Sequence, residues 1–180
     1  MNHPIFTITW VRGWDVHETL KRLGVPETTT YTWADLYRRD QETSSHSDYV
    51  VVAPAGDWTM ALQIGGWWYA FDPDLCTATR GGGEAVSVMR HDYSHGQFTH
   101  SVDGRSRTYF SICEPGTRWG GTPDALIDLM REVGLDPEAD DHLSRTEALP
   151  KALALAGRLT GVPFHDQFTE PLMGGQICRT

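Results

Sequence analysis

The 180-residue chain sets 24 acidic against 15 basic side chains, a formal charge of −9, with 39% hydrophobic and 11% aromatic residues. A general nucleic-acid binder needs a basic face, so that class is excluded, while a basic protein partner and plain solubility both fit. No apolar run nears the ~20 residues of a membrane span, and Met1-Asn2-His3-Pro4 lacks the basic flank and apolar core of an export signal.

Cys76, Cys113 and Cys178 are odd in number and form no CxxC pair. Neither a disulfide framework nor a structural zinc site is indicated, and reduced cytoplasmic thiols are expected.

In chain order, Ile5 to Val11 is β-branched and aromatic and predicts a first strand. Asp15-Val16-His17-Glu18 is a capping-box pattern. It opens a helix whose Val16, Leu20 and Leu23 share one face, ended by Gly24 and Pro26. Thr32 caps a short second helix through Arg39. Asp40 to Asp48 is polar and aperiodic, an exposed loop.

Tyr49 to Ala53 is apolar on both faces, as a central strand should be. Trp58, Met60, Leu62 and Ile64 then alternate with Thr59, Ala61 and Gln63 in the period of a strand. Gly65-Gly66 suits a tight hairpin turn, so Trp67, Tyr69 and Phe71 are expected on a return strand. Asp72 to Gly83 is expected to be irregular. Ala85–Arg90, Gln97–Val102 and Arg107–Ile112 follow as strands, the last two joined by Asp103-Gly104, a dipeptide favoured in hairpin turns.

Thr122-Pro123-Asp124 has the order of a cap, a first-turn proline and an acid at the positive end of a helix dipole. Leu126, Leu129, Met130 and Val133 form that helix's apolar stripe. An acidic linker, Leu135 to Ser144, leads to a last helix from Thr146, with Pro150 tolerable in its first turn. Leu149, Leu153, Ala156 and Leu159 or Thr160 line its buried face, and Gly161 and Pro163 end it. The expected fold is α+β: a mostly antiparallel sheet of about six or seven strands with helices packed on one side. Residues 1–163 make a single domain, and 164–180 a tail that is loosely docked or disordered.

Trp10-Val11-Arg12-Gly13, Gly56-Asp57-Trp58-Thr59, Gly83 to Val88, Arg118-Trp119-Gly120 and Ala152 to Val162 occur in this order. In that series the chain resembles an uncharacterised family of small actinobacterial proteins, catalogued as a domain of unknown function. The resemblance spans roughly residues 5–163 and implies no catalytic residue, because the family has none established.

The sharpest chemical cluster is His91-Asp92-Tyr93-Ser94-His95 with His100. Three imidazoles and a carboxylate are a donor set for zinc, although the spacing is not that of a helical HExxH site. The bland alternative is a polar connection whose histidines bond locally. Arg80-Gly81-Gly82-Gly83 lacks the Gly-Lys-Ser/Thr ending of a phosphate loop and reads as a flexible turn. A nucleophilic Cys113 would need a base such as His91; a half-buried structural thiol is the default. Trp68, Arg118 and Trp119 are residue types that anchor interfaces.

The reading that follows is a non-catalytic interaction protein, of immunity or regulatory type, with a basic protein partner and no nucleic acid or membrane. The alternatives are a small enzyme or zinc-binding protein built on His91 and His95, and a small-molecule pocket lined by Trp58, Trp67 and Tyr69.

Overall fold

The computed structural model describes residues 5–42, 48–92, 96–138, 143–164 and 168–178. His95, residues 43–47 of the polar loop, 139–142 of the acidic linker and parts of the tail lie outside them. The described strands are β1 Phe6–Arg12, β2 Thr29–Tyr31, β3 Tyr49–Ala55, β4 Trp58–Ile64, β5 Glu84–Arg90, β6 Gln97–Val102, β7 Arg105–Ser111, β8 Arg118–Trp119 and β9 Leu172–Gln176. The helices are α1 Val16–Arg22, α2 Trp33–Glu42, α3 Asp72–Thr79, α4 Ile127–Glu132 and α5 Arg145–Thr160.

Among the described residues the strands form one nine-stranded sheet in the order β2-β9-β3-β4-β1-β5-β6-β7-β8. Every pairing in it is antiparallel. The α+β class is as expected, with more strands than the sequence predicts.

Helices cover both faces of the sheet, where one covered face is expected from the sequence. The reason is written in the alternation. Phe6, Ile8 and Trp10 of β1, Met60 and Leu62 of β4 and Val86 and Val88 of β5 bury on one face with Leu36 of α2, Met130 of α4 and Ala152 and Leu155 of α5. Val11, Val50, Val52, Ala61 and Ala85 bury on the other with Leu20 of α1 and Leu75 and Ala78 of α3. Apolar residues at consecutive positions of β3 need a cover on each side.

The second face is also rich in buried hydroxyls. The Thr7 Oγ1 donates to the Gly66 carbonyl at 2.9 Å, Thr99 Oγ1 to the Ala70 carbonyl at 2.6 Å and Thr9 Oγ1 to Ser87 Oγ at 3.2 Å. The Gln63 side-chain carbonyl accepts from Trp68 N–H at 3.1 Å. The bonds to Gly66, Trp68 and Ala70 hold the segment after β4 against the sheet. Gly65-Gly66 is therefore not a hairpin turn, and Trp68–Ala70 is a single 3-10 turn leading into α3, with no return strand. Side-chain hydrogen bonds from the sheet outcompete the alternation of Trp67, Tyr69 and Phe71, and the supposedly irregular stretch after Phe71 begins with a helix that has Pro73 in its first turn.

At α1 the Asp15 carboxylate caps the Glu18 N–H at 2.8 Å, but Glu18 does not reach back; it pairs with Arg22 at 2.8 Å. Helix α5 starts one residue earlier than expected, which puts Pro150 in its second turn.

The tail is corrected as well. β9 is inserted between β2 and β3, with Gly174 opposite Thr29 on one side and Val51 on the other. Gly174 and Gly175 hide this strand from a sequence pattern, because glycine has no side chain to show alternation. Their smallness is needed: a Cβ at Gly174 would lie 2.2 Å from the Val50 carbonyl oxygen and 2.8 Å from the Val51 side chain. Gly174→Ala is expected to lower stability by roughly 1–3 kcal/mol through overpacking, read as a lower urea midpoint. An unchanged midpoint would show that β9 is not seated there.

Candidate functional site

β5 places a charged residue at each end of one face. Glu84, Val86, Val88 and Arg90 alternate toward the face that α5 covers, so the apolar centre is flanked by Glu84 at one end and Arg90 at the other. The two ends build different sites.

At the Glu84 end the site is closed. His100 Nε2 lies 2.9 Å from Glu84 Oε1, and Arg12 pairs with the other carboxylate oxygen. Arg12 also stands over the Trp58 ring, 4.9 Å from its centroid. Burial pushes the His100 imidazole below its usual value; the Glu84 carboxylate opposes this, and Arg107 and Arg12 reinforce it.

At the Arg90 end a cleft of about 590 Å³ opens between the sheet and the first turns of α5. Its polar lining is Arg90, His91, Asp92, Arg145 and Thr146; Ile112, Leu149 and Pro150 form its apolar wall. Arg145 Nη1 donates to the His91 carbonyl at 3.0 Å and to the Asp92 carbonyl, tying the β5–β6 connection to the start of α5. The Arg90 Nη2 lies 3.5 Å from the Asp92 carboxylate. The His91 ring packs on Trp67 with centroids 4.9 Å apart. Gly96 lies in the cleft floor; a Cβ there would come within 2.6 Å of Ile112 Cδ1.

His100 does not join His91. His100 is paired opposite Val86, so its position is separated from that of His91 by about 16 Å at ~3.3 Å per strand residue. His95 lies outside the described residues. Among the described residues no group of three or more His, Cys, Asp or Glu is placed to hold a metal ion.

Cys113 is fully buried, and burial pushes its thiol up against the opposing effects of the Gly96 N–H and Arg145. In the glycine turn the N–H groups of Gly81 and Gly82 donate to the Asp103 carboxylate at 3.0 and 2.9 Å. The chain's own carboxylate occupies this small cradle of N–H donors.

The interaction candidates separate into two that are pinned and one that faces solvent. The Arg118 side chain is only 11% exposed. Its Nη1 donates to the carbonyls of Pro115, Gly116 and Pro137 at 2.8–3.3 Å, and its Nη2 to Asp124 at 2.8 Å. It fastens loops together instead of waiting for a partner. Trp68 is half-buried, with its indole N–H on Asp48 at 2.9 Å. Trp119 is 48% exposed and stacks on Tyr109, centroids 5.6 Å apart, on the outermost strand.

The pocket expected from Trp58, Trp67 and Tyr69 does not form as such. Trp58 and Tyr69 belong to the cores on opposite faces of the sheet. Sequence reasoning missed Arg90, Arg145 and Thr146, which meet only because α5 returns across the end of β5; Arg90 and Arg145 are far apart in the chain and share no motif.

The architecture defines an α+β protein with an antiparallel sheet clad on both faces. The chain belongs to the family of unknown function DUF6461, whose model matches residues 2–171. Comparison with the curated proteins gave no match, and comparison with the solved structures gave none. No helix among the described residues is long and apolar enough to cross a membrane.

The His100 arrangement gives a pH prediction. A histidine whose folded pKa lies below its unfolded value costs stability as pH falls through the window between the two, because the unfolded chain takes up the proton first. Stability is expected to decline on acidification below 6.5, the ordinary histidine value, with a shallower decline in His100→Gln. Glu84→Gln removes the opposing carboxylate and is expected to lower the imidazole pKa further in an NMR titration; a rise would reverse the account.

Proposed function

We propose that this is a non-catalytic interaction protein, of immunity or regulatory type, that binds a basic protein in the cytoplasm through the outer edge of its sheet. The observation that carries the reading is the solvent-facing Trp119–Tyr109 stack beside an acidic arm. Between residues 124 and 138 the exposed charges are Asp124, Asp128, Glu132, Asp136 and Glu138 against Arg131 alone. Arg131 pairs with Glu138 at 2.8 Å and Asp124 with Arg118 at 2.8 Å, which leaves the arm negative overall.

An indole over which a lysine or arginine of the partner can lie, with carboxylates alongside, suits a basic surface. A cation over such a ring contributes ~0.5–2 kcal/mol as water is excluded, and the acids speed encounter. Arg105 and Arg107 are exposed on β7 and bound the patch on that side. Cys76, Cys113 and Cys178 are thiols, not disulfides, in keeping with a reducing compartment.

Capture on the immobilised protein, identification of what is retained and titration calorimetry test the reading. The retained partner is expected to be basic. Trp119→Ala should weaken it by about 2 kcal/mol, as truncation of an aromatic hot spot does. Asp128→Lys with Glu132→Lys should slow association most at low salt. An acidic partner, or affinities that ignore both changes, would refute the proposal.

A further inference from the structure

We infer that the cleft at the Arg90 end of β5 binds a small amphipathic organic anion, one with a carboxylate or phosphate head on an apolar body. This site shares no residue with the Trp119 surface. Three observations converge on it.

The first is size: about 590 Å³ lies within the range of small-molecule sites.

The second is charge. In a chain of formal charge −9, the described residues lining the cleft bring two guanidinium groups, Arg90 and Arg145, against one carboxylate, Asp92. Arg145 Nη1 donates to two carbonyl oxygens. Carbonyls satisfy hydrogen-bond donors but do not neutralise a cation, and among the described residues only Nη1 is engaged. Arg90 meets Asp92 at 3.5 Å, beyond the 2.7–2.9 Å of a close charge-assisted bond. Among the described residues lining the cleft, one loosely held carboxylate faces two guanidinium groups, an excess of positive charge for an incoming anion to meet. A planar guanidinium also receives carboxylate or phosphate oxygens in pairs.

The third is polarity layout. Ile112, Leu149 and Pro150 form an apolar wall beside these cations, and the Thr146 hydroxyl adds a neutral hydrogen-bonding group. The pattern of an apolar lining with a few converging polar groups is that of an orienting ligand site. The anchoring of Arg145 to the His91 and Asp92 carbonyls holds one guanidinium in place before the ligand arrives, which reduces the ordering cost of binding.

The test uses the full chain with benzoate, phenyl phosphate, inorganic phosphate and neutral benzamide, followed by calorimetry and by amide NMR shifts at Gly96 and Thr146. Benzoate or phenyl phosphate is expected to bind with shifts at those amides, more tightly than inorganic phosphate, and benzamide to bind far more weakly. Which of the two aryl anions binds better identifies the head group. Arg90→Gln, which leaves the Arg145 anchor in place, should weaken binding at least about tenfold. Arg145→Lys, which keeps a cation but loses the planar fork, should also weaken it; Trp119→Ala should leave it unchanged. The inference fails if neither aryl anion binds the wild-type protein at millimolar concentration. It fails equally if benzamide binds as well as the anions, or if Arg90→Gln binds like wild type.

Discussion

The fold depends on β1 being buried on both faces between β4 and β5. Its one face is wholly apolar, Phe6, Ile8 and Trp10, while the other carries Thr7 and Thr9 before Val11. A buried hydroxyl without a partner costs roughly 1–3 kcal/mol, so these threonines require acceptors. The Gly66 carbonyl and the Ser87 hydroxyl supply them. That requirement draws the segment after β4 down onto the sheet and starts α3 where it starts. The apolar face has no such demand and is closed by helix packing, with a polar tie from the Trp10 indole N–H to the Val162 carbonyl at 3.0 Å.

Most strands were legible because their alternation is strong: Trp58 to Ile64 and Ala85 to Arg90 lie where the pattern puts them. The turn at Asp103-Gly104 is also as expected, with both residues at positive φ, 48° and 73°. The failures share a cause, which is that tertiary partners decided the local state. Trp67 to Phe71 has a strand's alternation but is held as a 3-10 turn by Thr99 and Gln63. β9 carries two glycines and no readable period, yet its backbone completes two ladders. Short composition cues identify neither, because the information resides in Val50, Val51 and Thr29 elsewhere in the chain.

The candidate sites divide along the same line. Trp119 was legible as a residue type, and its exposure follows from its place on the terminal strand. Arg118 beside it has the same surface appearance in sequence. Four acceptors, three carbonyls and one carboxylate, convert it into a structural fastener. A guanidinium with its donors satisfied within the chain adds rigidity to the loops and therefore to the platform under Trp119. His100 stands apart from His91 for a geometric reason: an antiparallel hairpin brings together the residues flanking its turn, and His100 sits well past that turn, opposite Val86.

The two ends of β5 show how one strand yields a stabilising group and a receptive one. At the Glu84 end an acid is flanked by Arg12 and His100, and its charge is met by the chain's own guanidinium. Burial there favours the neutral imidazole, so the arrangement resists gaining a further charge. At the Arg90 end Arg145 meets backbone carbonyls and Arg90 a carboxylate at 3.5 Å, beside the apolar Leu149 and Pro150 of α5. The same alternation that puts Val86 and Val88 into the core therefore leaves Arg90 at the rim of a cavity. What differs between the ends is the source of acceptors: side-chain carboxylate where the strand closes against β1, and main-chain carbonyl where the connection to β6 is held by Arg145. Main-chain acceptors fix geometry without neutralising charge, and a guanidinium held by carbonyls beside an apolar wall is suited to an anion over a neutral molecule of the same shape.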